Sequence, residues 1–152
     1  MPSQRLSEAL GPPLIGALLR MPLEVVQARM LAALHDRGFD DLVAAHLVVL
    51  RYPGPQGRRP GEIAAGSGHT KQAANYLLGQ LERLGYLERG DDPDDRRSRR
   101  VYLTPRGVEA AMVMREAVAE LEREWAAQLG AEDFEQLRSL LSRLAGILPP
   151  KQ

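Results

Sequence analysis

Apolar residues recur at intervals of three and four along most of the chain, which is the spacing of one buried face of an α-helix. The first clear case is the segment LEVVQARMLAALHDRG, which starts at Leu23 and ends at Gly38, a residue type that commonly closes helices. Pro22 precedes it and is expected to break or kink any helix that arrives from Leu14. The positions expected to face the core are Val26, Met30, Ala33 and Leu34.

A second helix is predicted over DLVAAHLVVLRY, residues 41–52, with Asp40 as its N-cap. It ends at the loop PGPQGRRPG, whose prolines and glycines stop a continuing helix. Two helices therefore precede the middle of the chain.

The middle of the chain has the spacing of a helix, a turn and a second helix. A short helix near residues 60–66 is followed by the turn AGSG, and Thr70 is a good N-cap for a helix that runs from Lys71 to about Leu84 and stops at Gly85. The residues at helical spacing on its inner face are Ala74, Leu77, Leu78 and Leu81.

The outer face of this second helix carries side chains that suit nucleic acid. Gln and Asn can bond adenine through two hydrogen bonds, and Lys reaches guanine or a phosphate. The alternative interpretation of this segment on its own is a solvated polar face without a partner. The residues in question are Lys71, Gln72, Asn75 and Tyr76.

A β-hairpin follows. Tyr86 to Arg89 and Arg100 to Leu103 are rich in β-prone residues that alternate with polar ones, and the turn-forming stretch GDDPDDRRS between them predicts a long tip. Thr104 then caps a new helix, with proline at its first position, where the missing N–H costs nothing.

Two amphipathic helices complete the chain. The first runs for about 25 residues from Pro105 and ends at Gly130. Its apolar residues form a heptad-like seam, which indicates a partner helix; they are Ala111, Met114, Val118, Leu121 and Trp125. In the second helix the residues expected to point inward are Phe134, Leu137, Leu140 or Leu141, Leu144 and Leu148.

Composition restricts the class of protein. The 152 residues favour one compact domain, and no apolar run approaches the roughly 20 residues that span a bilayer, so a cytoplasmic protein is expected. Without cysteine there is no disulfide and no thiolate metal site. The net charge is zero, but residues 51–106 contain eleven Lys and Arg against seven Asp and Glu, while the flanks are acidic. A basic middle segment can hold a polyanion.

Catalysis is not indicated. His35, His46 and His69 lack metal-ligand spacing, and the acidic stretch DDPDD lacks the spacing of an EF-hand. No phosphate-binding loop or nucleophile motif is present in the sequence, so neither an enzyme nor a bound metal or cofactor is expected.

Two segments resemble the MarR family of winged-helix transcription factors. One is HTKQAANYLLGQLERLGYLER, and the more specific one is DPDDRRSRRVYLTPRG, which is similar to the family's wing pattern of D-x-R, a strand and L-T-x-x-G. The resemblance covers about Arg58 to Gly107. It implies a mainly α fold with a small β-hairpin, namely a winged helix-turn-helix with flanking dimerisation helices.

The resemblance implies roles for individual residues. The helix that starts after Thr70 would enter the major groove of DNA, with Tyr76 where relatives often carry an arginine. Arg96 and Arg97 would contact the minor groove or phosphates, and Asp95 would orient a wing arginine, namely Arg99. The implied DNA-contacting set is Thr70, Lys71, Gln72, Asn75, Tyr76, Arg96, Arg97 and Arg99.

The resemblance also implies a homodimer on a pseudo-palindromic operator, as expected of a repressor or another regulator of transcription. Residues 1–50 and 107–152 would form the dimerisation body, and residues 51–106 the DNA-binding lobe. Candidate interface residues near the N-terminus are Leu14, Ile15, Leu18 and Leu19, although packing within one chain explains each of them equally well. Relatives bind small effectors between body and lobe; the sequence identifies no ligand.

One alternative function stays open at this point. A winged helix can also serve as a protein-docking module whose basic face binds an acidic partner. The two functions differ in their dependence on salt and on DNA sequence.

Overall fold

The computed structural model describes residues 11–51 and 53–149. These residues form six helices and one antiparallel hairpin, so the predicted fold class, a mainly α winged helix-turn-helix with flanking helices, is confirmed. In chain order the elements are α1 (Ile15–Asp36), α2 (Ala44–Leu50), α3 (Pro60–Ser67), α4 (Lys71–Arg83), β1 (Leu87–Asp92), β2 (Asp95–Leu103), α5 (Pro105–Leu129) and α6 (Ala131–Ile147).

Helix α1 begins earlier than predicted. It starts at Ile15 and continues through Pro22, so of the predicted break or kink at this proline the break is wrong. A proline removes one backbone N–H and crowds the preceding turn, but a 22-residue helix keeps its other hydrogen bonds, and Met30 and Leu34 anchor the second half in the core. Gly38 follows the helix at a φ of +86°, as its predicted role in helix termination requires.

Helix α2 is shorter than predicted and has a different cap. Its N-cap is Val43, whose backbone N–H donates to Nδ1 of His46 at 3.2 Å. Asp40, the predicted cap, lies in the preceding turn, so that prediction is wrong because the helix starts three residues later than predicted. The cap therefore depends on a buried histidine and not on an exposed carboxylate.

The helix-turn-helix is confirmed. Helix α3 ends at Ser67, Gly68 turns the chain at a φ of +75°, and Thr70 caps α4 by accepting a hydrogen bond from the Ala73 N–H at 3.1 Å. Gly85 ends the second helix at a φ of +83°. The predicted inner face is buried, and its residues are Ala74, Leu77, Leu78 and Leu81.

The hairpin has longer strands and a shorter tip than predicted. Its pairing extends to Asp92 opposite Asp95, so only Pro93 and Asp94 connect the strands, and the predicted long tip is wrong. Ion pairs between aspartates and arginines hold the strands together where residue propensity alone predicts a loop.

Tyr86 joins the start of the hairpin to the loop between α1 and α2. Its ring is buried, and its hydroxyl donates to Asp41 at 2.5 Å. The Arg106 guanidinium lies 4.5 Å from the ring centroid and also contacts Asp41 at 2.9 Å. Burial, together with the hydrogen bond to Asp41, raises the pKa of Tyr86 to about 12.

The motif LTPRG forms the junction between β2 and α5. The Thr104 hydroxyl accepts from the Gly107 N–H at 3.1 Å and donates to the Gly85 carbonyl at 2.6 Å. A Cβ on Gly107 would collide with the Tyr86 carbonyl oxygen. Glycine at this position therefore lets α5 start directly against the end of the helix-turn-helix.

The two C-terminal helices have the predicted order but not the predicted burial. Helix α5 buries only part of the predicted seam, Met114 and Leu121, while Ala111, Val118 and Trp125 are half-buried. No residue of α6 is buried, so the prediction of an inward apolar face is wrong within one chain. Periodicity shows that a face is apolar but does not show what covers it. The exposed residues of α6 and its end are Leu137, Leu140, Leu141, Leu144, Ile147 and Leu148.

The hydrophobic core lies where α1, α2, α4, the hairpin and α5 meet. None of the described helices combines the length and the apolar composition needed to cross a bilayer. Among the same residues, no group of three or more His, Cys, Asp or Glu is placed to hold a metal ion.

Candidate nucleic-acid interface

The first half of the candidate interface is the exposed face of α4. Thr70 is also exposed, but its hydroxyl oxygen is used in capping. The side chains at helix positions one, two, five and six share one side of the helix, as their spacing requires. All four of these predicted contact residues are exposed: Lys71, Gln72, Asn75 and Tyr76.

Tyr76 is the most prominent of these side chains, with 64% of its surface exposed. Its hydroxyl accepts a hydrogen bond from the Gln80 amide nitrogen at 3.1 Å, one helical turn further on. The Gln80 amide oxygen in turn lies 3.0 Å from Nε2 of His46, which is buried. A continuous line of hydrogen bonds therefore connects the core to the exposed face of α4.

The second half of the candidate interface is the start of β2. Arg96 and Arg97 directly follow the turn, and both are exposed. Within the described part of the chain, neither guanidinium has a hydrogen-bond or ion-pair partner, whereas Arg99 and Arg100 are both paired with aspartates. The two arginines predicted to contact the minor groove or phosphates are thus available to an external anion.

The predicted pairing of Asp95 with Arg99 is wrong. Arg99 pairs with Asp91 at 2.6 Å, because these residues lie opposite each other in the hairpin register. Asp95 instead accepts a hydrogen bond from the backbone N–H of Arg97 at 3.0 Å. Asp95 and Arg99 lie four positions apart along an extended strand, about 13 Å between Cα atoms, and no ion pair joins them.

The residue that anchors the hairpin is Asp92, which the sequence did not single out. Its carboxylate is buried and lies 2.6 Å from the Arg59 Nε and 3.1 Å from the Arg100 Nε. It also accepts hydrogen bonds from the Ser98 hydroxyl and from the Asp94 N–H, both at 2.9 Å.

Burial by itself raises the pKa of the Asp92 carboxyl. The hydrogen bonds from Arg59, Asp94 and Ser98 and the ion pair with Arg100 outweigh burial, and they hold this pKa well below its usual range. The carboxylate is therefore ionised and fixes the hairpin to the residue that precedes α3.

Arg58 is a further basic residue that the sequence did not assign to the site. Its backbone N–H and C=O pair with Val101 at 3.0 and 2.8 Å, so residue 58 extends the edge of the hairpin. Its side chain is exposed and unpaired among the described residues. The pair of arginines before Pro60 was a visible signal, but only the strand pairing places it beside the hairpin.

A helix-turn-helix followed by a hairpin that carries unpaired arginines defines the winged-helix class. A model of the MarR family matches residues 41–98, which contain α2, the helix-turn-helix and most of the hairpin. Over this segment the chain is similar to the MarR family of winged-helix regulators of transcription, and it has the fold of solved members of that family. Members of this family are regulators and not enzymes, which supports the expectation of a non-enzyme.

Solved structures share this fold over most of the chain. The chain is similar to the Mycobacterium tuberculosis MarR family protein Rv2887 in complex with salicylic acid (28% identity, 89% and 98% of the two chains covered, TM-score 0.64). It has the fold of S. aureus MepR in a complex with DNA (23%, 90% and 100%, 0.67) and of apo wild-type MarR from E. coli (24%, 91% and 99%, 0.68). No curated protein matches the sequence significantly.

Proposed function

We propose that this protein is a sequence-specific regulator that binds a pseudo-palindromic operator as a homodimer. Helix α4 enters the major groove, and Arg96 and Arg97 reach the adjacent minor groove or phosphates. The observation that carries this proposal is the pair of unpaired, exposed arginines at the start of β2, beside a hairpin whose other arginines are neutralised. Ordered cations without internal partners suit the narrow, electronegative minor groove.

The charge distribution supports the same partner. Residues 51–106 have an excess of four positive charges, although the whole chain is neutral. We assign DNA binding to this lobe and assembly to the flanking segments, residues 1–50 and 107–152. The S. aureus MepR complex with DNA supports duplex DNA as the partner of this fold. A role on DNA also favours the cytoplasm as the place where the protein works.

The homodimer is supported by an apolar surface that one chain leaves exposed. It consists of the start of α1 and one face of α6, with residues Leu14, Ile15, Leu18, Leu19, Leu137, Leu140, Leu141, Leu144, Ile147 and Leu148. So many exposed large apolar side chains are unusual on a monomer and indicate an interface. Two-fold pairing through this surface would present two copies of α4 to successive turns of the duplex.

A small effector is supported by a cleft of about 620 Å³ between α1, the end of α2, α5 and α6. Apolar side chains from α1 and α5, including Met30 and Met114, form its wall, and Arg51 and Arg115 add positive charge, while Arg138 is paired with Glu122 of the same wall at 2.7 Å. Such a cleft suits an apolar molecule with one carboxylate. The M. tuberculosis relative in complex with salicylic acid supports this class of ligand.

The decisive experiment is selection of preferred duplexes from a random pool at moderate salt, followed by titrations of the winner at several salt concentrations. We expect a palindromic consensus, a preference of at least ~10³-fold over random duplex, and a log–log salt slope of about −0.9 for each neutralised phosphate. The titrations are then repeated with salicylate, which should weaken binding. Absence of any sequence preference would favour the protein-docking module over the regulator.

A further inference from the structure

A line of hydrogen bonds runs from the core of the protein to the tip of the Tyr76 side chain. It starts at Val43, whose N–H donates to Nδ1 of His46 at 3.2 Å. Nε2 of this histidine lies 3.0 Å from the Gln80 amide oxygen, and the Gln80 amide nitrogen lies 3.1 Å from the Tyr76 hydroxyl. Only 4% of His46 is exposed, so its end of the line is shielded from water.

The backbone N–H at the start of the line determines where each proton lies. A backbone N–H can only donate, so Nδ1 of His46 must be an unprotonated acceptor. The histidine proton is therefore on Nε2, which donates to the oxygen of the Gln80 amide. With its oxygen held by the histidine, Gln80 must direct its NH₂ group toward Tyr76.

This arrangement determines the direction in which the Tyr76 hydroxyl can donate. Because its oxygen accepts from Gln80, its own hydrogen points away from Gln80 and can be donated to an external acceptor. We propose, on the basis of the DNA-binding function proposed above, that Tyr76 is a specificity-determining residue that donates to an acceptor on a base edge, with Gln80 and His46 as the positioning residues that fix this polarity.

Base chemistry turns this polarity into a sequence preference. In the major groove guanine presents two acceptors and thymine one, whereas cytosine presents only a donor. A hydroxyl that donates outward can bond an acceptor of guanine, thymine or adenine, whose N7 accepts, and it rejects cytosine at one position in each half-site. An unconstrained tyrosine hydroxyl could rotate to accept from cytosine, so the discrimination depends on the hydrogen bond from Gln80.

Two surface substitutions and their combination test the proposal by duplex selection. Tyr76→Phe removes the hydroxyl and should reduce discrimination at one base position per half-site by about fivefold, the value of one hydrogen bond. Gln80→Glu replaces the donor by a carboxylate that can only accept, so the Tyr76 proton turns inward. The hydroxyl oxygen then faces the DNA, and the preference should shift by a similar factor toward cytosine, which presents only a donor.

The double variant separates hydroxyl polarity from charge. Gln80→Glu adds a negative charge that weakens binding to every duplex, and this loss should persist in the Tyr76→Phe background. The change of base preference should disappear there, because no hydroxyl remains to be reversed. An equal change of preference in both backgrounds would overturn the proposal.

The buried end of the line is tested by a matched pair of variants. His46→Asn keeps an acceptor for the Val43 N–H but loses the donor to Gln80, whereas His46→Gln can supply an amide donor to it. Discrimination should fall in the first variant and partly recover in the second, with thermal unfolding used to confirm that both are folded. If either histidine variant does not fold, the Tyr76→Phe and Gln80→Glu variants and their combination test the proposal on their own.

The outcomes distinguish this inference from the function on which it rests. A wild-type protein without any preferred duplex would overturn both. A wild-type consensus that Tyr76→Phe and Gln80→Glu leave unchanged at every position would overturn the role of Tyr76 alone and leave the regulator intact.

Discussion

Asp92 is a buried carboxylate that helps to position two arginines, Arg96 and Arg97, which it does not contact. It pairs with Arg59 and Arg100, and it accepts from Ser98, so two arginines of this region already have a carboxylate partner in the protein. Arg96 and Arg97, in the same strand, have no such partner among the described residues. Fixing the strand by one set of charges leaves the other set ordered and available, which lowers the entropy cost of binding.

We predict that Asp92→Asn destabilises the protein in a pH-dependent way. The folded carboxyl has a pKa below its unfolded value of about 3.9, so its stabilisation is present above that pH and is lost as the pH falls through the folded pKa. Urea unfolding at pH 7 and near pH 3 should show the wild-type advantage shrinking in acid. The exposed Asp40→Asn variant is the control and should show little difference at either pH. An advantage that grew in acid would contradict the assignment.

A second residue-scale prediction concerns Arg97. Replacing it with alanine should leave the unfolding temperature unchanged, because its side chain has no internal partner among the described residues. Binding to all duplexes should weaken, and the salt slope should become shallower by about 0.9 for each phosphate that the variant no longer neutralises. Arg123→Ala removes the same charge from α5 and should change neither quantity appreciably. Equal effects of the two substitutions on duplex binding would show that the hairpin does not contact DNA.

Which aspartate pairs with which arginine could not be predicted from the sequence. Four aspartates and four arginines lie within ten residues, and their partners depend on the strand register and on the irregularity between Asp91 and Asp92. A slip of one residue moves every side chain of a strand to the other face. The sequence therefore predicts that the charges cluster, but the partner of each aspartate depends on how the two strands are aligned.

At the scale of elements, two glycines in helices have opposite roles. Gly107 lies where α5 meets the helix-turn-helix, and an added Cβ would collide with the Tyr86 carbonyl oxygen. Gly79 lies within α4, where the nearest atom to an added Cβ is the flexible Arg83 guanidinium at 3.7 Å. One glycine therefore permits a close approach, and the other only weakens its helix.

We predict that Gly107→Ala destabilises the protein by about 1–3 kcal/mol through backbone displacement. Gly79→Ala should stabilise it by up to about 1 kcal/mol, because alanine loses less conformational entropy in a helix. Chemical unfolding of the two variants measures both changes. Similar effects of the same sign would mean that the junction does not constrain the fold.

Local signals predicted the elements that depend on local chemistry. Thr70 and Gly85 bound α4 as expected, and Thr104 with Gly107 begins α5, because caps and left-handed glycines act within a few residues. Pro22 does not mark the start of α1, because the helix tolerates one missing N–H when its second half packs in the core. The tip of the hairpin was missed because ion pairs between strands stabilise a segment rich in turn formers.

At the scale of the whole molecule, the sequence correctly indicated an apolar face on α6 but not its surroundings. The same 3.6-residue period results whether a helix packs within its own chain or against another. In the described chain this face is solvent-exposed, and so is the start of α1, where Leu14 is 80% exposed. The N-terminal and C-terminal helices thus both have an exposed apolar face. The sequence pattern of such a face is the same as that of a face buried in the core.

The last prediction is that this surface assembles two copies of the chain. Sedimentation equilibrium at micromolar concentration should give about twice the 16.8 kDa of one chain. Leu141→Glu places a charge on the apolar face of α6 and should shift the protein toward the monomer, because an unpaired charge is costly to bury in an interface. Ser139→Glu adds the same charge on the opposite side of that helix and should leave the dimer intact.

Operator binding should follow assembly in these variants. A monomer can occupy one half-site only. The Leu141→Glu variant should therefore lose most of its preference for the full palindrome but still bind weakly to a half-site. Raising the protein concentration should restore part of that preference. Ser139→Glu should bind as the wild type does. A wild-type protein that sediments at 16.8 kDa, or a Leu141→Glu variant that remains dimeric, would show that the exposed face of α6 has another purpose.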